Sequence, residues 1–331
     1  MSLKKIAQMA GTSVSTVSKV LNDTHSGCAS QQLKEKIWAA AHEIGYVPNQ
    51  NARNLKKGVA EEEKPKKTMI VMARPKIQEK DLFFRELFKQ LEIELFKQGV
   101  LMGGVVSADD LKTGKQPDFD GIIVIGRSTA GLIEELKSYT SNIVGIWRNP
   151  MDFEVDEIIC DGRKAAQTAV EHLIGLGHEK IGYIGDCSYE SRYVGYNETM
   201  MKNRLPIDYD FIVRTDQTKD AGEKAMEFLL EKEELTAVLC ANDMTAIGAL
   251  EALKKQNDEM QRKISVISID DTKQAKETEP ALTAVHIPRK EMAHEAVSVL
   301  KDRMEQGHNQ PFRVEFPCRI TVRESCYRCS R

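Results

Sequence analysis

Residues 4–23 read KKIAQMAGTSVSTVSKVLND, and this stretch decides what the chain carries at its head. Ile6, Ala7 and Ala10 put small apolar side chains on one helical face, Gly11 breaks that helix, and Ser13 is placed to cap a second one. The turn between them has helix-turn-helix length. In the second helix Val17, Val20 and Leu21 fall at i, i+3 and i+4 as an inward stripe, which leaves Val14, Ser15, Thr16, Ser18 and Lys19 facing outward. Such a face suits a major groove, where hydroxyls reach phosphates or base edges, a lysine donates to guanine and a valine touches a thymine methyl. It equally suits a solvated helix rich in serine and threonine, because short helix-turn-helix patterns are often matched by chance.

The residues that follow weigh against the plain surface helix. Leu33, Ile37, Ala40, Ala41 and Ile44 recur with helical period from Ser30 to Tyr46, enough to close a three-helix core, and Gly45 stops the run. Residues 1–60 hold eight lysines and arginines against Asp23, Glu35 and Glu43, a net charge of +5. The whole chain is −3, so the remainder carries −8. A basic head on an acidic body points to an anionic polymer as the head's partner.

The run KKIAQMAGTSVSTVSKVLND, followed at residues 44–58 by IGYVPNQNARNLKKG, resembles the LacI/GalR family of bacterial transcription repressors. The resemblance implies base contacts from Val14, Ser15 and Lys19 and phosphate anchoring by Thr16 and Ser18, with Asn22 at the end of the same helix also on the DNA side. Many members have arginine where Lys19 stands, and lysine lacks the planar fork for bidentate guanine recognition. Asn49, Ala52, Arg53 and Leu55 match the family's hinge helix, in which the residue at Leu55 is wedged into the minor groove. Read without the family, Leu55 is the one large apolar residue of a short polar helix, a docking contact rather than a wedge.

At 331 residues the chain has room for two or three domains. No apolar run approaches the roughly 20 residues that span a bilayer, and the N-terminus lacks the apolar core of a signal peptide, so a cytoplasmic protein with no membrane partner is expected. Seven cysteines at 28, 160, 187, 240, 318, 326 and 329 fit reduced thiols better than a disulfide framework, and Cys326 and Cys329 form a C-x-x-C with no second pair. No metal or cofactor is expected.

Residues 58–67, GVAEEEKPKK, read as a charged linker. Beyond them, short apolar strands alternate with striped helices: Met69 to Ala73, the helix carrying Phe84, Leu87, Phe88, Leu91 and Leu95, then Val100 to Val106 and Gly121 to Ile125. The alternation continues through Asn142 to Trp147, Gly162 to Leu176, Lys180 to Ile184, Glu223 to Leu230, Ala237 to Ala241, Met244 to Lys255 and Ile264 to Ile269. This is α/β architecture with parallel, doubly wound sheets and ligand space at the carboxyl ends of the strands. So many elements exceed one sheet, and two lobes flanking a cleft are expected. The stretches DGIIVIG (120–126), ICDGRKAAQTAVEHLIGLGHEKIGYIGD (159–186), TAVLCANDMTAIGALEAL (236–253) and SVISIDD (265–271) extend the resemblance to the family's effector-binding core, which is similar to periplasmic sugar-binding proteins.

The expected layout is an all-α helix-turn-helix domain at 1–48, a hinge helix at 49–58, a linker at 59–67 and a two-lobed, periplasmic-binding-protein-like core at 68–331. The N-lobe would take about 68–160 and 287–316, the C-lobe about 161–286 and 317–331, with crossings near Cys160, Ile287 and Phe316. The resemblance implies that Arg192, Asn242 and Asp270 hydrogen-bond a sugar's hydroxyls and that Asp161 caps a helix near a crossing. The bland alternative for Asn242 and Asp270 is that they only cap strand-to-helix turns. Arg74, Arg127, Arg148 and Arg192 stand at or beyond strand ends and are expected to converge, with Trp147 as a flat face for a pyranose and Phe84 as an apolar wall. Several arginines in one cleft favour a phosphorylated or acidic sugar over a neutral one, unless they pair with acidic residues at the lobe surface.

Other motifs mislead. Gly175-Leu-Gly177 follows a helix and precedes a strand, the reverse of a phosphate-cradling order, so it reads as a helix stop. His294-Glu295 lacks the second histidine of a zinc-peptidase helix, and with no G-x-S-x-G or P-loop no catalytic residue can be named. A transport protein would share the lobes but not need residues 1–58. The expectation is a homodimeric, operator-binding repressor of sugar-utilisation genes, reading a palindrome and switched by a sugar-type effector.

Overall fold

The computed structural model describes residues 3–22, 29–44, 65–74, 81–111, 119–188, 190–232, 234–256 and 264–329. Helices α1 (Leu3–Ala10), α2 (Val14–Asn22) and α3 (Gln31–Glu43) form the head. Their core is the expected stripe, Ile6, Ala7, Ala10, Val17, Val20 and Leu21, closed by Ile37, Trp38, Ala40 and Ala41. Gly11 ends α1 at φ +65°, a left-handed turn that glycine adopts without a Cβ clash. The Ser13 hydroxyl then accepts from the Thr16 amide at 3.1 Å, satisfying a donor at the start of α2. The head rests on the body through α3: Trp38 meets Phe96 edge-on at 5.8 Å, and Glu35 pairs with Lys290.

The body holds two six-stranded sheets. In chain order its strands are β1 (Lys67–Met72), β2 (Leu101–Ser107), β3 (Gly121–Ile125), β4 (Ile143–Trp147), β5 (Asp156–Ile159), β6 (Ile181–Gly185), β7 (Ile212–Arg214), β8 (Ala237–Cys240), β9 (Ser265–Asp270), β10 (Thr283–His286), β11 (Arg313–Glu315) and β12 (Arg319–Thr321). The N-lobe sheet runs β11-β5-β4-β3-β1-β2 and is parallel throughout. The C-lobe sheet runs β12-β10-β9-β8-β6-β7, with β12 antiparallel to β10 and the rest parallel. Every residue of β3, β4, β6, β8 and β9 is buried, as strands covered on both faces require, which is why β3, β4 and β8 read as continuous apolar runs, while β9 hides Ser265, Ser268 and Asp270.

Helices α4 (Leu82–Gln98), α5 (Ala130–Lys137) and α11 (Arg289–Met304) cover the N-lobe sheet; α6 (Gly162–Gly175), α7 (Ser191–Lys202), α8 (Lys219–Leu229), α9 (Asp243–Lys254) and the short α10 (Lys273–Glu277) belong with the C-lobe sheet. The chain passes between sheets three times, between β5 and α6, β10 and α11, and β11 and β12. Asp161 caps α6 at the first passage, accepting from the Arg163 amide at 2.8 Å. Gly177, at φ +92°, lies just past the end of α6, a helix stop as its sequence order indicated. Among the described residues no helix is long and apolar enough to cross a membrane.

Candidate functional site

Two surfaces concern function, and the first is the outward face of α2. Val14 is 39% exposed, Ser15 and Lys19 are exposed, and Thr16 and Ser18 are half-buried at its edge. The Ser13 hydroxyl lies 2.9 Å from that of Ser15 and 2.8 Å from that of Thr16, so the cap orients the hydroxyls that open the face. The helix thus offers an apolar contact, a hydroxyl patch and a cation on one side while Val17, Val20 and Leu21 are spent on the core. Asn22 ends α2; its side chain, and all of Asn49, Ala52, Arg53 and Leu55, lie outside the described residues.

The second surface is a cavity of about 520 Å³ between the lobes, at the carboxyl ends of the strands. The N-lobe contributes Arg74 after β1, Arg127 after β3 and Arg148 after β4; the C-lobe contributes Arg192 from α7 and Arg214 from the end of β7. Asp81, Asp186, Glu190 and Asp216 line it as well, so five guanidinium groups face four carboxylates. Phe84 forms part of the wall, edge-on to Phe83 at 5.2 Å. The convergence of Arg74, Arg127, Arg148, Arg192 and Phe84 is therefore present. Arg214 was not legible: β7 is three residues long, too short for a period, and only its strand-end cation matches the pattern of Arg74 and Arg127.

Arg192 is buried and fully employed. Its Nε donates to Glu190 at 2.9 Å, one terminal nitrogen to the Ala241 carbonyl, and the other to the Gln217 side chain at 2.9 Å. Burial opposes its charge, but Glu190 and the neighbouring Tyr183 and Asp270 outweigh it and hold the group protonated above its ordinary range. Arg148 makes a contact between the lobes. Its guanidinium lies 4.1 Å from the centre of the Phe83 ring and 5.7 Å from that of Phe84, and its Nη2 comes within 2.9 Å of Asp270 Oδ1 across the cleft. The approach is close but misaligned: Arg148 Nε and Nη2 and Asp270 Oδ1 make no hydrogen bond among the described residues. Burial consequently wins over the counter-charge and pushes the Asp270 carboxyl up to about 8, with Asp81 and Asp243 adding to the rise.

Three expected ligand contacts are corrected by this geometry. Trp147 is 1% exposed, on the face of β4 that also carries Ile143, and its ring lies over Gly145 and edge-on to Phe153 at 6.2 Å. A Cβ at position 145 would sit 1.7 Å from Trp147 Cζ2, so the glycine makes the slot into which the ring folds. The ring borders the cavity as packed wall and offers no free flat face; its buried Nε1 makes no hydrogen bond among the described residues. Asn242 does not border the cavity. It caps α9, accepting from the Thr245 amide at 3.0 Å and hydroxyl at 2.6 Å, and donates to the Gln217 carbonyl at 3.1 Å. Asp270 also lies behind the wall, at φ +137°, and reaches the cleft only through Arg148.

Comparison with known proteins gives the chain its family. Residues 2–49 match the family described as bacterial regulatory proteins, lacI family, and residues 170–326 match the periplasmic binding protein-like domain. The HTH-type transcriptional repressor CytR of Escherichia coli (strain K12) is 30% identical over 98% of this chain and 95% of its own length. The HTH-type transcriptional repressor PurR of Vibrio atlanticus (strain LGP32) is 28% identical over 93% of each. Among solved structures, the lac repressor dimer bound to operator and the anti-inducer ONPF shares the fold with a TM-score of 0.69 at 21% identity, covering 99% of both chains. The transcriptional regulator CelR in complex with cellobiose gives 0.67 at 22%, covering 98% of this chain and 99% of that one. Similarity that runs from the first helix to the last strand of a known repressor, over a head and a core in the family's order, means that the chain belongs to the LacI family and is a DNA-binding transcriptional repressor, not an enzyme.

Proposed function

We propose that this repressor acts as a homodimer on a palindromic operator and that a small polar effector of sugar type, bound between the lobes, sets its operator affinity. The observation that carries the reading is the 520 Å³ cavity lined by charged groups from both lobes. A ligand that bridges Arg74 and Arg127 on one side and Arg214 on the other stabilises one lobe arrangement over another, and that difference is all an allosteric ligand can use. The lining carries one guanidinium more than it has carboxylates, so we take the effector to be a phosphorylated or acidic sugar rather than a neutral one, although Arg192 is already paired with Glu190.

Residues 49–58 would be the hinge helix. Alone it is far shorter than isolated helices that persist in water, so it orders on DNA against its symmetry mate. Lobe rearrangement then alters the pairing of the two hinges, a coupling worth about 1 to 3 kcal/mol. Val14, Ser15 and Lys19 would read bases while Thr16 and Ser18 hold phosphates. Electrophoretic mobility shift on a palindromic operator, with and without candidate sugars, tests DNA, symmetry and effector together. Calorimetry with matched sugar and sugar-phosphate pairs tests the anion, and tighter binding of the neutral member overturns that part.

A further inference from the structure

Two of the three passages between lobes run side by side. Strand β11 pairs with β5 so that Glu315 stands opposite Ile159, and the Phe316 amide donates to the Ile159 carbonyl at 2.8 Å. Immediately beyond that bond each chain carries a cysteine toward the C-lobe: Cys160 on one passage, Cys318 on the other. The two sulfurs lie close enough to act on one another and pack against the same apolar cluster, with Thr168 of α6 3.8 Å from the Cys318 sulfur. Cys160 is 1% exposed, whereas Cys318 is half-buried and open to a small reagent.

The pair is electrostatically asymmetric. The neighbouring Cys160, joined by Thr168, holds the Cys318 thiol below its ordinary range, while Cys318 and burial push the Cys160 thiol up. Burial pushes Cys187, Cys240 and Cys326 up as well. A thiolate is the nucleophile in thiol oxidation, so the site has an accessible attacking sulfur and a buried resolving one.

We propose that Cys160 and Cys318 form a peroxide-responsive disulfide that staples the first and third passages between the lobes. In the first step the Cys318 thiolate attacks a hydroperoxide: an S–O bond forms, the O–O bond breaks, and the departing oxygen takes a proton and leaves as water or an alcohol. In the second, the Cys160 sulfur attacks the resulting sulfenic sulfur; the S–S bond forms, the S–O bond breaks, and the leaving hydroxide takes the Cys160 proton as water. Two thiols are oxidised by two electrons in total and one peroxide is reduced. In a reducing compartment such a bond is transient, as suits a sensor. Its effect on operator binding rests on the proposed lobe motion; its formation does not.

The test uses the full-length protein treated with hydrogen peroxide, blocked with an alkylating agent and digested without reductant. The expected result is a peptide linking Cys160 to Cys318 that disappears on adding dithiothreitol. In untreated protein at neutral pH, Cys318 should also be alkylated before Cys187, a measurement that requires no variant. In Cys160→Ala, which lacks the resolving sulfur, dimedone should trap a sulfenic acid on Cys318. Absence of the linked peptide from oxidised wild-type protein, or alkylation of Cys318 no faster than Cys187, overturns the proposal. An intact disulfide without any change in operator or effector affinity would leave the site standing and count against the proposed lobe motion.

Discussion

Replacing Arg148 with methionine should cost far less near neutrality than the loss of a buried ion pair, and the cost should grow above pH 8. Removing one partner of a buried pair ordinarily costs about 3 to 5 kcal/mol, because an uncompensated charge is left behind. Here the abandoned partner has an exit. Burial has pushed the Asp270 carboxyl up to about 8, so at pH 7 the protonated form already leads by about ten to one and no charge need be stranded. What remains to be lost is the stacking of the guanidinium on Phe83 and Phe84, about 1 to 2 kcal/mol for a partly desolvated cation–π contact. The sign with pH follows from linkage. A carboxyl whose folded pKa is raised lowers stability progressively as pH climbs from its unfolded value, near 4, to its folded value, and no further. In the wild type that loss ends near pH 8; without Arg148 the folded value moves higher and the loss continues. The gap between the two proteins should therefore widen by about 1.4 kcal/mol per pH unit above pH 8. Urea titrations of both proteins at pH 6, 7, 8 and 9 measure it, with groups common to both cancelling in the difference. A gap of 3 kcal/mol or more at pH 7, or one constant from pH 6 to 9, would refute the reasoning.

Gly145→Ala should lower stability by about 1 to 3 kcal/mol through overpacking, because the new Cβ would meet the Trp147 ring; a thermal melt together with tryptophan emission reads both the loss and the displaced indole. Asp271→Asn should cost about 1 to 3 kcal/mol at neutral pH, since Asp271 accepts from Arg323 and lies 2.9 Å from His286 Nδ1. Burial opposes the Asp271 charge but those partners prevail and hold its pKa down, so its contribution is present above about pH 4 and lost below it; the difference from wild type should shrink in acid, as denaturation at pH 3 to 7 would record. Leu55→Ala should weaken operator binding with effector binding unchanged, and an unaltered mobility shift would remove the wedge. Lys19→Ala should cost about 1 to 3 kcal/mol of operator affinity and relax sequence preference at one base pair; a loss uniform across sequences, with a salt slope shallower by about 1, would make its contact a phosphate instead.

The head was legible because its core is local. Ile6, Ala7, Ala10, Val17, Val20 and Leu21 meet within 20 residues, so helical period alone predicts which faces they bury. The buried strands β3, β4 and β8 were legible for a related reason: a strand covered on both faces has no polar side, and its apolar run announces it. The cavity was legible only in outline. Strand-end arginines mark where a ligand can sit, yet which of them are already employed depends on partners far away in the chain, as with Arg192 and the Ala241 carbonyl. Trp147 shows a signal that was present and unread. Positions 145 and 147 share a face of β4, and a glycine two residues before a tryptophan leaves the space into which its ring folds.

By itself the sequence determined the order of the parts, a basic three-helix reader followed by an acidic α/β body, because periodicity, charge and turn residues act over a few positions. Tertiary structure decided what each polar side chain is for. Asn242 became a helix cap, Asp270 a buried acid behind Arg148, and Cys160 and Cys318 neighbours on adjacent passages, since hydrogen-bond supply and desolvation are set by residues that only the fold brings together.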